Sequence, residues 1–176
     1  MIITQTPHLV LRQFEMDDAR ALDQVFGDPE VMRYGPGAQD SAWVRAWLRN
    51  CLQVLYPRLG FGPWAVVEKS TGAVIGYCGL FHFSDLGGQP EVEVGYRLAR
   101  RWWGQGYASE AMLAVRDYAF QVLHLPRLVA LIDPHNTASI RVAQKAGLCC
   151  EKEVMLPGYT HPDHLYALDA LTPPGK

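Results

Sequence analysis

The stretch RRWWGQGYASEA, residues 100–111, decides how the rest of the chain is read. Two arginines and two tryptophans stand ahead of Gly104 and Gly106, and a helical run, YASEAMLAVRDYAFQVL (107–123), follows directly. The first turn of a helix carries N–H groups without partners and a partial positive charge. Glycines let the backbone approach phosphate oxygens closely, and neighbouring arginines add charge. The pattern therefore suits an anion cradle. It also suits a plain strand-to-helix turn, and glycine spacing alone does not separate the two. The spacing is neither G-x-x-x-x-G-K-[ST] nor G-x-G-x-x-G, so neither a Walker loop nor a dinucleotide-binding turn is present.

Outward from this stretch the periodicity alternates between 2 and 3.6. HLVLRQF (8–14) reads as a strand. MDDARALDQVF (16–26) and DSAWVRAWLRNCLQVLY (40–56) read as amphipathic helices, capped by Asp17 or Asp18 and by Asp40 or Ser41. Gly27 and Pro29 end the first, and Pro57 lies just past the second. GPWAVVEK (62–69), AVIGYCGLFHF (73–83) and PEVEVGYRLA (90–99) read as three strands joined by polar, glycine-containing turns, most simply an antiparallel meander. PRLVALID (126–133) is a further strand, and NTASIRVAQKAG (136–147) a helix with Asn136 as N-cap candidate and Gly147 at its end. LCCEKEVML (148–156) and HLYALDAL (164–171) complete the pattern. The sum is one α+β domain over 1–171, with a mixed, mostly antiparallel sheet of about seven strands and about four helices, and a loose tail at 172–176. The strand–helix–strand unit from 90 to 133 is its parallel part.

With 49 % hydrophobic and 19 % charged residues the chain is composed to fold. Its net charge of −2 argues against stable nucleic-acid binding. MIITQTPHLV lacks the build of a signal peptide, and no apolar run approaches the roughly 20 residues of a membrane span. A cytoplasmic protein without membrane attachment is expected. Cys51, Cys78, Cys149 and Cys150 form no C-x-x-C pair, and free, mostly buried thiols are expected. His161-x-x-His164 with Asp163 hints at metal, but Pro162 and the strand pattern oppose it, and no metal is assigned.

Four segments in order resemble the GNAT superfamily of acetyl-CoA-dependent N-acetyltransferases. Arg101-x-x-Gly104-x-Gly106 is similar to its [QR]-x-x-G-x-[GA] hallmark. HLVLRQFEMDDARAL, VEVGYRLARRWWGQGYA and NTASIRVAQKAGL resemble segments of the ribosomal-protein N-acetyltransferase (RimJ/RimL-like) branch. The resemblance implies a GNAT-like fold and coenzyme A pyrophosphate held by Arg101, Trp103, Gly104, Gln105, Gly106, Tyr107 and Ala108. It places the pantetheine arm along the backbone at Tyr96 and Leu98, with Asn136 beside it; Arg141 and Lys145 are equally well solvated helix charges.

The resemblance further implies direct attack of a primary amine on acetyl-CoA in a ternary complex, with no metal. Glu93 takes the family's glutamate position and is the candidate base; Glu91, two residues earlier, points the same way but reads as a solvated strand residue. The oxyanion donor is a backbone N–H near Val94 to Tyr96. Many members carry a tyrosine acid seven residues after the asparagine. Here that position is Ala143; the branch the chain resembles often has a serine three residues after the asparagine, and Ser139, which fits, is the candidate proton donor, with water as the alternative. Deprotonating a lysine at pH 7 costs about 4 kcal/mol, against about 1 for an α-amine. A peptide or protein N-terminus is therefore the expected acceptor. A small amine (amino acid, polyamine or antibiotic) is the alternative, and a non-catalytic acyl-CoA sensor a third reading. Trp43 and Trp47 read as core, while Tyr34, Trp64 and Phe83 are loose acceptor-side candidates. A monomer or homodimer is expected.

Overall fold

The first strand is one that periodicity missed. In the computed structural model, which describes residues 1–170, β1 (Ile2–Gln5) lies antiparallel to β2 (Leu9–Arg12) at the edge of the sheet. Its residues are half-buried or exposed, so IITQ carries no apolar alternation to read. The tail expected to be loose lies outside the described residues. Pairing with β2 turns on Thr6, whose hydroxyl accepts the Leu9 amide at 2.9 Å.

Past β2 the chain makes a short 3₁₀ turn, Met16–Asp18, and enters α1 (Ala19–Phe26). Asp18 locks this entry. Its carboxylate accepts the Glu15 amide at 2.8 Å and both terminal nitrogens of Arg12 at 2.8 Å, while being 6 % exposed. Asp18→Ala leaves the half-buried guanidinium and the Glu15 amide without partners. We expect a loss of about 2–3 kcal/mol, read by urea denaturation.

The short α2 (Pro29–Met32) is capped by Asp28, and α3 (Ser41–Asn50) by Asp40, whose carboxylate accepts the Trp43 amide at 2.8 Å. The helix does not stop before Pro57. It passes through a π-turn, Cys51–Leu55, into α4 (Tyr56–Leu59), which holds the proline in its first turn. Proline offers no N–H and crowds the carbonyl four residues back, and widening the preceding turn relieves both.

Then β3 (Pro63–Glu68), β4 (Val74–Phe83) and β5 (Glu91–Leu98) form the expected antiparallel meander. After α5 (Tyr107–Gln121) the chain returns as β6 (Arg127–Ile132), parallel to β5. Beyond α6 (Thr137–Lys145), β7 (Cys149–Val154) and β8 (Asp163–Asp169) close an eight-stranded sheet in the order β1-β2-β3-β4-β5-β6-β8-β7.

The sheet has two covered faces. On one, Tyr77 of β4 stacks on Phe26 of α1 and meets Trp47 of α3. On the other, Trp64 of β3 packs edge-on against Tyr118 of α5. Trp64 is fully buried in the α5 face, so it is no acceptor-side residue. It pairs with Cys78, one residue from Tyr77, and a step of one along a strand reverses the face. Cys51 and Cys78 are buried free thiols as expected, and burial pushes Cys51 up to about 12. Cys149 and Cys150 are exposed instead, because β7 is the outer strand of the sheet. No described helix is long and apolar enough to cross a membrane.

Candidate active site

The site begins where β5 and β6 part. Among the described residues the two strands share one paired position, Glu93 opposite Val129. Two residues further along β6, the Leu131 amide meets the Glu93 carboxylate at 3.4 Å. The Ala99 amide bonds to the Ile75 carbonyl on the β4 side. Backbone groups alternate in direction along a strand, so those of Tyr96 and Leu98 point the other way, into the gap. The Leu98 carbonyl already accepts the Trp103 indole at 2.7 Å.

At one end of the gap stands the glycine loop. Gly104 and Gly106 have φ of +75° and +84°, a region side chains avoid, and a Cβ at either would meet no atom within 4 Å. The loop thus presents bare backbone to open space. Gly106 caps α5, so the amides of Tyr107, Ala108 and Ser109 have no intrahelical partner. The Glu110 carboxylate is turned away, accepting the His8 amide at 2.9 Å. Gln105 folds back onto the Arg101 carbonyl at 3.2 Å, and Arg101 lies over the Trp102 ring. From this loop a cleft of about 920 Å³ runs to Glu93 and on beneath α2 and α3. Bare glycines, free helix amides and parted strands fit the pyrophosphate and arm of coenzyme A.

The two faces of β5 carry different chemistry. On the α6 side, the Tyr96 phenol lies 3.0 Å from the Ser139 hydroxyl. Burial pushes the Tyr96 pKa up, so the phenol keeps its proton. Asn136 caps α6, its side-chain oxygen accepting the Ser139 amide at 3.1 Å. Ala143 is 1 % exposed.

On the α1 and α3 side stand Glu93, Gly95 and Arg97, opposite Phe81, Gly79 and Tyr77 of β4. Burial pushes the Glu93 carboxyl up to about 7; the Leu131 amide and Arg97 oppose the shift, and Asp163 adds to it. Asp163 is 7 % exposed with its Oδ1 unpartnered, and burial and the nearby Asp133 hold its own pKa up. Phe26, Trp43, Trp47 and Phe83 line this part of the cleft. Tyr34 reaches across it to the His135 carbonyl at 3.2 Å.

Two sequence readings change here. Glu91 is neither solvated nor paired with Glu93: it is 5 % exposed and bonds Arg127 Nε at 3.1 Å. Arg127 also holds Glu151 and Asp169, so the three acids neutralise one cation at the β6 end of the sheet. The carboxylate that acts on Glu93 is Asp163, from the far end of the chain. His161 pairs with Asp133 rather than with His164. The ligand atoms of Asp133, His135 and His161 lie within 4.8 Å of one another, but both Asp133 oxygens already meet the two histidines, and His135 is exposed. Arg141 and Lys145 sit at the cleft rim.

Residues 8–148 match the family described as Acetyltransferase (GNAT) domain. The chain belongs to the GNAT acetyltransferase family. The GNAT chain is 35 % identical to the uncharacterized N-acetyltransferase p20 of Bacillus licheniformis, over 88 % of its own length and 85 % of p20. It is 26 % identical to the spermidine N(1)-acetyltransferase of Escherichia coli K12, over 82 % and 75 %. The crystal structure of a GNAT-family acetyltransferase from Bacillus anthracis superposes with a TM-score of 0.80 at 27 % identity, covering 96 % of this chain and 98 % of that one. Solved ribosomal-protein acetyltransferases share the fold at 18–20 % identity, which shows the fold alone. The GNAT domain makes this an acyltransferase that uses acetyl-CoA and an amine acceptor.

Proposed function

We propose that this GNAT enzyme acetylates an α-amine, with Glu93 as base and the Tyr96–Ser139 hydroxyl pair as proton donor. The observation that carries the reading is the Glu93 carboxyl at the mouth of the β5–β6 gap, met by the Leu131 amide at 3.4 Å and lining the cleft, where burial pushes its pKa up to about 7. A general base works best when its pKa lies near the operating pH. An α-amine, with a reference pKa of about 7.7–8.0, is matched to such a base; a lysine, at about 10.4, is not.

Arg101, Trp103, Gly104, Gln105, Gly106, Tyr107 and Ala108 hold the pyrophosphate end, and Tyr96, Leu98 and Asn136 hold the arm. Bound there, acetyl-CoA supplies the acetyl thioester. Glu93 orients through the Leu131 amide and takes the acceptor's ammonium proton. Burial, with a smaller push from the nearby Asp163, disfavours ionisation of Glu93, which keeps it basic. On the opposite face of β5, Ser139 holds a proton for return, with the Tyr96 phenol behind it.

A departing thiol has a reference pKa near 8.5, so the acid is asked for little, and Ser139→Ala is expected to lower kcat about tenfold. The KM for acetyl-CoA stays unchanged. Equal kcat values for Ser139→Ala and the parent remove the hydroxyl pair from the reaction and leave water as the donor.

A peptide N-terminus fits this base directly; a small alkyl amine, as basic as a lysine, asks more of it. The ribosomal-protein segments of the sequence favour the first. The Tyr34 crossing of the cleft and the likeness to a spermidine acetyltransferase favour the second. Coenzyme A release is to be measured against peptides with free or blocked N-termini and against polyamines, amino acids and aminoglycosides. Release only with free N-termini establishes peptide acetylation. Release with a small amine alone moves the enzyme to the second reading. Acetyl-CoA binding with no release anywhere overturns transfer and leaves a sensor.

A further inference from the structure

The cleft has a cationic end. Arg97 lies four residues past Glu93 on the same face of β5, about 13 Å away between Cα atoms at strand rise. Gly95 stands between them and puts no side chain in the way. The Arg97 guanidinium lies against Gly35 of the crossing loop and donates to the Tyr77 hydroxyl at 2.7 Å. No carboxylate among the described residues forms an ion pair with it. Of the other arginines lining the cleft, Arg33 pairs with Glu30, while Arg141 stands on α6, on the cofactor side, and has no ion pair among the described residues. Arg12, Arg116 and Arg127 also face carboxylates. A guanidinium has five N–H donors in a fork that matches a carboxylate, and Arg97 gives one of them to Tyr77. A half-buried cation with no carboxylate in contact gains when one arrives.

We propose that the acceptor carries a carboxylate on the side remote from its amine, and that Arg97 binds it, oriented by Tyr77. The proposal rests on amine acetylation at Glu93. Phe26, Trp47 and Phe81 surround Tyr77, so the ion pair forms against apolar walls that strengthen it. Two extended residues span about 7 Å, which suits an amine near Glu93 and a carboxylate near the Arg97 fork once both side chains lean inward. A dipeptide supplies such a carboxylate at its C-terminus; a longer peptide supplies it on an acidic second residue. A polyamine brings a second ammonium to the same guanidinium and is disfavoured.

The test compares matched acceptors that differ by one charge. Ala-Ala is measured with a free and with an amidated C-terminus, Ala-Glu-amide against Ala-Gln-amide, and spermidine alone. The parent enzyme is expected to prefer at least one carboxylate over its amide by about 30-fold in kcat/KM, through KM. Arg97→Gln removes the preference, so that acid and amide are turned over at the same rate whatever that rate becomes. Preference for the free C-terminus alone identifies a dipeptide-sized acceptor; preference for the glutamate alone identifies an acidic N-terminus. Equal rates on acid and amide, or a preference that survives in Arg97→Gln, overturns the proposal while leaving amine acetylation intact. Should no acceptor release coenzyme A, the same pairs are titrated against the intrinsic tryptophan fluorescence, to which Trp43 and Trp47 of the cleft contribute, with coenzyme A present. Quenching selective for the acid and lost in Arg97→Gln upholds the carboxylate site; unselective quenching or none overturns it. The thermal midpoint of Arg97→Lys, which keeps charge but not the fork, reports whether position 97 is needed for folding.

Discussion

Glu93→Gln is expected to lower kcat roughly a hundredfold at pH 8 while leaving acetyl-CoA affinity unchanged. The amide keeps the size of the carboxylate and can still meet the Leu131 amide through its oxygen, but it accepts no proton. The pH dependence gives the sharper signature. The parent's activity depends on the ionised form of Glu93, so kcat/KM rises with pH through about 7 and then levels; this limb is absent in the variant. The stability change has the opposite sign. A carboxyl whose folded pKa lies above its unfolded value holds its proton more tightly in the native state, so stability falls as pH rises between the two. Glutamine removes that penalty, and the variant is expected to be at least as stable as the parent at pH 8. Lost activity is then not lost folding. Equal kcat in parent and variant removes Glu93 as the base.

A large stability effect is expected at Gly79, at the centre of the sheet. It pairs with Pro63 of β3 and Gly95 of β5. A Cβ there would lie 2.3 Å from the Gly62 carbonyl oxygen, 2.5 Å from Pro63 Cα and 2.9 Å from the Trp64 amide nitrogen. All three are backbone atoms, so no rotamer change relieves the contact. β3 itself must move, while Trp64 is fully buried against α5 and resists. Gly79→Ala is expected to cost about 3 kcal/mol, the upper end of ordinary overpacking, and to lower Tm by about 10 °C. Thermal denaturation followed by circular dichroism checks this; a shift under 2 °C shows that β3 yields freely. Gly95, whose Cβ would meet side-chain atoms, the Phe81 ring at 3.3 Å and Glu93 Cδ at 4.0 Å, is the milder comparison.

Local rules made much of this protein readable. Asp40 before a 3.6-residue apolar repeat set the start of α3, and period-2 runs around glycine turns set the β3–β4–β5 meander. The Arg101-x-x-Gly104-x-Gly106 spacing ahead of an apolar helix, with three further segments in order, carried the family. Each of these depends on residues close in sequence, which is why a linear reading finds them. β1 escaped because an edge strand with half-exposed residues has no alternation to betray it. The helix through Pro57 escaped because a π-turn upstream absorbs the proline.

The chemistry of the site was decided at longer range. Glu93 was legible as a candidate base, but its raised pKa was not. Burial in the folded sheet raises it, with a smaller push from Asp163, which the antiparallel return of β8 beside β6 carries into the same cleft. Tyr96 was legible only as backbone for the cofactor arm; the position of α6 joined its phenol to Ser139. Arg97 sits two steps along the face that bears Glu93 and could have been read from alternation. Its lack of an acidic partner could not, because a missing ion pair is a property of every element packed around it. The sequence by itself determined which segments fold and what cradle they present. Tertiary packing alone decided which charges meet, because ionisation and pairing depend on burial and neighbours that only the closed sheet brings together.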